Sequence, residues 1–460
     1  MCLAGLCPIS AFMAGKERAS SKMFFQLLLT AAIFLGFSSF AEAGTYAVGS
    51  CTTYGTYPTI TQAVESVPAG SVIEVCPGTY AEQIVITKRL TLKGVSNASG
   101  GDSAVIVPPA TGLATNGNDI FGNPVAAQVF VASTDGAVTV EDLTIDGTGN
   151  NIGGCSPTLE GIYFQNTSGT ITHNAVRNQY ETDYTDLGGC QNGLAINVES
   201  TTSANRVTVS YNSVHGYQKN GITATGAATG PGAQGPDVTI ELNYIVGLAA
   251  TAMNWQGVYN SQATAAENGV QVGFGASGKV SSNTVLDNIW GQDTSSDTGD
   301  AASGILIYAS ESISVTANEV GSAQFGIVAV TDPVYGPADE TTITTNKVQG
   351  TQIFDAIDVC SSSNKVTSNQ IYGSSESGVH IDDSCGSGNS NTVTGNTINE
   401  ACAGILLGSG SGNITTPNTY GNVTNTTLAG DVCPAPLSDV KTVSAKTRAL
   451  RPSPYLAVRK

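Results

Sequence analysis

Three residues near the C-terminal end have the types and spacing for general acid–base chemistry. When the segments around Ala356 and Gly378 are aligned on those two small residues, Ile357 and Val379 fall on one side of a strand. Asp358 and His380 fall on the other, because side chains alternate with period 2 along a strand. On adjacent strands the two would sit roughly 4.8 Å apart. Asp382 follows two residues beyond His380 and points the same way. An Asp-His-Asp cluster on an outward face can move protons. Two carboxylates there can also act on a glycosidic bond, their separation deciding inversion or retention. The plainer alternative is a solvated polar ladder with one His–carboxylate pair.

Further candidates lie in long insertions. Asp183, Asp186, Asp293 and Asp297, with Glu181, Asp287 and Asp300 nearby, supply oxygen ligands in loops, which suits Ca2+. None follows an EF-hand spacing, and a solvated acidic loop is the alternative. Both tryptophans of the chain, Trp255 and Trp290, fall in these insertions, as does Tyr184. Their faces would stack on sugar rings, or simply pack a long loop down. Arg177 opens the first insertion. His215 and Lys219 lie in an uninserted coil between the walls and would contact substrate there. With 3 His in the chain, a multi-histidine metal site is excluded.

These residues must be positioned by a repeat. From Thr341 the chain reads TTITTNKVQGTQIFDAIDV, from Asn364 NKVTSNQIYGSSESGVHI, and from Asn391 NTVTGNTINEACAGILL. Each copy is a short alternating strand, an Asn, a second strand, a turn, and a Gly or Ala before an alternating apolar pair. The Asn series reads Asn174, Asn212, Asn243, Asn283, Asn318, Asn346, Asn369, Asn396 and Asn418, with Asp142 set in the same place earlier. The Gly series reads Gly161, Gly193, Gly221, Gly269, Gly304, Gly326, Gly378 and Gly404, with Ala356 in one slot. One copy cannot bury its own apolar face, so copies must stack. Three strands and three turns per copy make one coil of a parallel β-helix. Stacked Asn side chains can then hydrogen-bond along the solenoid as a ladder.

This pattern resembles the right-handed parallel β-helix proteins of the pectin lyase-like superfamily over roughly residues 58 to 430. We call the strand before the Asn the second sheet, the strand after it the third, and the Gly-opened strand the first. The resemblance implies that the first sheet floors a substrate groove and that the ligand is a polysaccharide, with Ca2+ as the cation that lyases of the superfamily commonly use. Asp382-Asp383 resembles the Asp pair of polygalacturonases, whose other motifs are missing. Gly78-Thr79-Tyr80-Ala81-Glu82 resembles the Gly-x-Tyr-x-Glu motif of pectin methylesterases, whose later catalytic motifs have no counterpart. We read it as a first-coil turn. The Asn-to-Gly distance is 8 to 9 residues in tight coils but 19, 26 and 21 after Asn174, Asn243 and Asn283. All three insertions fall in the turn leading into the first sheet, which would wall one side of the groove.

Thr59, spaced three residues before Gln62, begins a short amphipathic helix that would close the N-terminal end of the solenoid. Residues 96 to 128 are expected to be an irregular excursion. Lys16, Arg18 and Lys22 precede an apolar run from Met23 to Phe37, and Ala41-Glu42-Ala43 is a small-x-small site. Residues 1–43 therefore read as a signal peptide, with no membrane span after its cleavage. Eight cysteines remain, and the stacking pairs Cys51 with Cys76, Cys155 with Cys190, Cys360 with Cys385 and Cys402 with Cys433, each about one coil apart. No Cys-x-x-Cys spacing supports the rival, a zinc site.

Net charge is −18, and from Gly44 to Cys433 there are 9 Lys and Arg against 33 Asp and Glu. That argues against nucleic acid as a partner. Residues 434–460 carry six basic residues and read as a disordered tail. The expectation is a single-domain β-helix over 44–433, secreted, periplasmic or on the cell surface. It would bind extracellular polysaccharide along the first sheet, with cleavage as lyase or hydrolase. The alternative is a non-catalytic adhesion or structural solenoid.

Overall fold

The computed structural model describes residues 42–96, 102–132, 134–181, 192–227, 234–247, 267–289, 302–351, 354–386, 388–437 and 440. The chain divides into Met1–Glu42 and Ala43–Lys460, and every element named below belongs to the second unit. The predicted signal peptide, up to residue 41, lies outside the described residues.

Each coil solves the same corner in the same way. In one, the second-sheet strand Asp237–Glu241 ends at Leu242 with φ of 59°. Asn243 turns the corner and the third-sheet strand Tyr244–Val246 follows. The strand Asn268–Gly273 then lies in the first sheet. Stacking these units gives a right-handed parallel β-helix. The second sheet has 13 strands, from Gly55–Tyr57 at one end to Thr392–Thr394 at the other. In the last coils the strands Gln370–Ile381, Thr397–Leu407 and Thr419–Ala429 run through the third and first sheets without a break.

Columns of apolar side chains fill the interior. Val280, Val315, Ile343, Val366 and Val393 occupy matching places on successive second-sheet strands and are all fully buried. Each contributes roughly 1.5–3 kcal/mol of burial. The Gly series keeps this column packing possible. A Cβ on Gly326 would lie 2.5 Å from Val348 Cγ1 and 2.2 Å from the Ala356 carbonyl oxygen. Gly193 does not belong to the series. The register pairs Ile162 with Ile196, which puts Ala195 opposite Gly161, and Gly193 sits in the preceding turn at φ of 83°.

The Asn ladder runs unbroken from Asn174 to Asn418. Asn346 is representative. Its backbone N–H and its Nδ2 both donate to Asn369 Oδ1, at 2.9 and 3.1 Å, and Nδ2 also donates to the Val315 carbonyl at 2.9 Å. Asp142 is displaced by one residue from the place assigned to it. The backbone N–H of Leu143 donates to Asn174 Oδ1, so Leu143 holds the ladder position and Asp142 the positive-φ position before it. A second, shorter ladder links Thr341, Asn364, Asn391 and Asn413.

The helix Ile60–Ser66 packs its apolar face on the first coil, with Thr59 Oγ1 accepting from the Gln62 backbone N–H. Glu82 completes the cap: its carboxylate accepts from the backbone N–H groups of Ile60 and Thr61. The Tyr80 hydroxyl donates to the Cys76 carbonyl at 2.8 Å. The Gly78–Glu82 motif is thus occupied in holding the first coil to its cap. The irregular excursion is narrower than 96–128, because Ala104–Val107 and Pro124–Ala132 are strands in the parallel ladders. Disulfides join Cys51 to Cys76, Cys360 to Cys385 and Cys402 to Cys433. Cys155 is also disulfide-bonded, and Cys190 lies outside the described residues. Among the described residues no helix is long and apolar enough to cross a membrane.

Candidate active site on the first sheet

The outward face of the first sheet carries polar side chains on most coils, and they gather into two groups. The first begins on the strand Thr158–Gln165. Ile162 and Phe164 enter the core, so Tyr163 and Gln165 point out; the ladder is irregular at Gly161, and Glu160 joins them through its bond with Asn197. On the next coil Asn197 lies beside Tyr163, and Glu199 beside Gln165. Asn197 Nδ2 donates to Glu160 Oε1 at 3.0 Å and to Glu199 Oε1 at 3.2 Å, so one amide bridges two carboxyl groups. The Tyr163 hydroxyl donates to Glu199 Oε2 at 2.6 Å, and the Ile120 backbone N–H adds a bond at 3.2 Å. Ile120 belongs to a hairpin turn that bends over this end of the sheet; Gln165 Nε2 also reaches it, at the Asn118 carbonyl.

All four central residues are buried: Glu160 is 1% and Glu199 7% exposed. Burial, and then the charge of Glu199, push the Glu160 carboxyl well above the usual range. Burial also raises Glu199, but bonds from Tyr163, Asn197 and Ile120 hold it down. Both carboxyl groups thus end above their ordinary range, Glu160 further than Glu199, because more bonds oppose the burial of Glu199. Among the described residues Glu160 Oε2 and Asn197 Oδ1 have no hydrogen-bond partner, and neither has the Thr223 hydroxyl, opposite Asn197 on the next coil. Buried polar atoms without partners are costly, and a cluster of them marks a place where a ligand or water completes the bonding.

The second group holds the residues singled out near the C-terminus. Asp358 and His380 face each other in the ladder. Both are buried, at 6% and 4% exposure, where the sequence suggested an open row. The cause is the chain after the last coil. Asp431 Oδ1 lies 3.9 Å from His380 Nε2, the Cys433 backbone N–H donates to Glu376, and Leu437 and Ser375 exchange two hydrogen bonds. The segment expected to begin a disordered tail at 434 thus starts as a strap fixed to the first sheet. Asp355, missed in the sequence, organises the group. Its Oδ1 accepts from the Ser377 backbone N–H and hydroxyl, and its Oδ2 from His380 Nδ1 at 3.2 Å. Burial pushes His380 down, but the Asp355 bond and the charges of Asp355, Asp358 and Asp382 outweigh it and carry it up to about 9. Burial drives the Asp358 carboxyl well above its ordinary value, with His380 partly opposing. Asp382 is half-buried and accepts from the Ser384 backbone and hydroxyl.

The other candidates do not join either group. Arg177 and His215 face each other on the third sheet, not the first. Arg177 is held at 2.7 Å by Asp146 and at 3.1 Å by Asp102. Lys219 is half-buried in the turn before Asn220–Thr225, its backbone tied to Gly193 and Asn268. Trp255, Trp290, Tyr184, Asp183, Asp186, Asp293 and Asp297 lie outside the described residues. Glu160 and Glu199 were not singled out in the sequence. The sequence signal covers Glu199 alone, outward beside the core residue Val198, while alternation from Ile162 would put Glu160 inward.

No protein-family model matches the chain, and no curated protein matches it. Solved structures do. A GH136 lacto-N-biosidase from Eubacterium ramulus aligns with TM-score 0.55 and 12% identity, over 87% of this chain and 70% of that one. This chain is a right-handed parallel β-helix protein. The catalytic unit of a GH87 α-1,3-glucanase from Streptomyces thermodiastaticus aligns at TM-score 0.44 and 14% identity, over 81% and 66%. The mannuronan C-5 epimerase AlgE4 A-module of Azotobacter vinelandii aligns at 0.41 and 12%, over 80% and 90%. At these identities the likeness is one of fold.

Proposed function

We propose that this β-helix protein binds extracellular polysaccharide along its first sheet and hydrolyses a glycosidic bond at Glu160 and Glu199. The observation that carries the reading is the bridged carboxyl pair with its split acidity. Glu160, protonated and with Oε2 unengaged, would donate its proton to the glycosidic oxygen as that bond breaks. Glu199, steadied by Tyr163 and less strongly raised than Glu160, would attack the anomeric carbon as its carboxylate to give a glycosyl-enzyme. Water, deprotonated by Glu160, would then release the sugar. Two carboxyl oxygens that each lie about 3 Å from one amide nitrogen are roughly 5 Å apart, which is near the spacing of a retaining enzyme. The hairpin over Glu199 closes one end of the face, so the sugar chain would enter past Thr223 and Gln271.

We place the reaction at this pair, and not at Asp358, His380 and Asp382, because one amide bridges its two carboxyl groups, whereas in the other group the carboxyl groups of Asp355 and Asp358 flank an imidazole. A lyase reading would need an uncommitted base, and Arg177 is bound by two carboxylates on another sheet. The test is a panel of neutral and acidic polysaccharides, with and without Ca2+, scored for new reducing ends and for the ultraviolet absorbance of unsaturated products. Reducing ends without absorbance, lost in Glu160→Gln, support hydrolysis here. Absorbance, or full activity in Glu160→Gln, overturns it. Silence on every substrate would favour a binding or structural solenoid.

A further inference from the structure

We propose that His380, Asp382 and Asp431 form a zinc site that pins the C-terminal strap to the first sheet. The deciding atom is His380 Nε2. The imidazole is 5% exposed, yet among the described residues Nε2 has no hydrogen-bond partner. Asp431 Oδ1 lies 3.9 Å from it, and His380, Asp382 and Asp431 each offer one ligand atom within 4.8 Å of the others. Ligands around one ion at about 2 Å lie roughly 3–4 Å from each other, so the trio needs only a small contraction to close on a metal.

The surroundings of the imidazole have the form that metal-bound histidines take. Nδ1 donates to Asp355, and Asp355 is fixed in turn by the Ser377 backbone and hydroxyl. A carboxylate behind the ring sets the tautomer and leaves Nε2 aimed at the ion. Asp358, opposite His380 in the ladder, keeps Oδ1 without a partner and presents a carboxylate oxygen within 4.8 Å of the imidazole. One nitrogen and two carboxylate oxygens suit Zn2+ better than Ca2+, which takes oxygen alone.

The position explains what the ion would do. Asp431 is two residues from Cys433, which is bonded to Cys402 and whose N–H is held by Glu376. Disulfide and ion would fasten the same short segment at neighbouring points. An arrangement without metal, a protonated His380 between Asp355 and Asp431, is the competing state, and the experiment separates the two.

The full chain, with disulfides intact, is freed of metal by a chelator and titrated with Zn2+ by calorimetry. Co2+ serves as the spectroscopic probe. The expected result is one Zn2+ per chain, a rise in thermal midpoint on binding, and visible Co2+ bands that Zn2+ abolishes. Asp431→Asn, a change at an exposed residue, should weaken binding by at least about tenfold, and so should Asp382→Asn. His380→Gln should remove it. No stoichiometric binding, or equal binding in Asp431→Asn and Asp382→Asn, overturns the proposal. Preference for Ca2+ over Zn2+ overturns the choice of ion.

Discussion

Two sets of buried polar side chains run along this solenoid, and they differ in one respect. In the Asn ladder every donor and acceptor is engaged. Asn318 accepts twice from Asn283, donates twice to Asn346, and gives its remaining hydrogen to the Val280 carbonyl. On the outward face of the first sheet, Glu160, Asn197, Thr223, Asp358 and His380 each keep an atom without a partner. Both sets are shut off from bulk water, so burial alone does not distinguish them. The difference teaches that completed bonding marks a part of the frame, while incomplete bonding marks a place kept for something else.

The largest expected effect breaks the functional side of that contrast. Glu160→Gln and Glu199→Gln should each lower hydrolysis by roughly 10^2–10^4-fold while leaving the circular dichroism spectrum unchanged. NMR of the first product should show a retained anomeric configuration, and inversion would remove Glu199 as nucleophile. Next comes the frame. Asn318→Ala strands the Asn283 donors and the Val280 carbonyl, and should cost roughly 2–4 kcal/mol in urea unfolding. A cost under about 0.5 kcal/mol would mean that the ladder bonds carry no net stability.

A third test uses the satisfied cluster on the third sheet. Burial pushes Asp146 up, but bonds from Asn178, Thr148 and Arg177 prevail and hold it at about 2. A carboxyl lowered on folding stabilises the protein above its unfolded value, near 4, and that contribution vanishes as pH falls toward 2. Asp146→Asn should therefore cost roughly 1 kcal/mol at neutral pH, allowing for partial exposure, and almost nothing near pH 2. A pH-independent difference would refute the assignment. The smallest effect is Thr223→Val, which removes an unpartnered hydroxyl and should change unfolding by about 0.5 kcal/mol or less. A loss of 2 kcal/mol would show a structural partner for that hydroxyl and weaken the contrast.

The frame was legible because it repeats. Asn369 and Gly378 could be read in the sequence since each must match its neighbours in every coil. The two misplacements, Asp142 and Gly193, fell where local identity mimicked the repeat while the register had moved by one or two residues. Asp358 and His380 were paired correctly by alignment, but their burial was not legible. It depends on residues 431–437, which carry no repeat and are brought there by the Cys402–Cys433 bond. Glu160, Asn197 and Glu199 depend on a juxtaposition that occurs once, and nothing periodic announces it.

The ladder has one more consequence. Its rungs are separated by as few as 22 residues and as many as 40, yet the side-chain bond stays at 3.0–3.1 Å. The Asn corner cannot sense how much chain was spent on the opposite side of the coil. Residues can therefore be gained or lost in the turn before the first sheet without any rung changing partner. One side of the molecule is free to vary in length and content between descendants, while the other keeps the count.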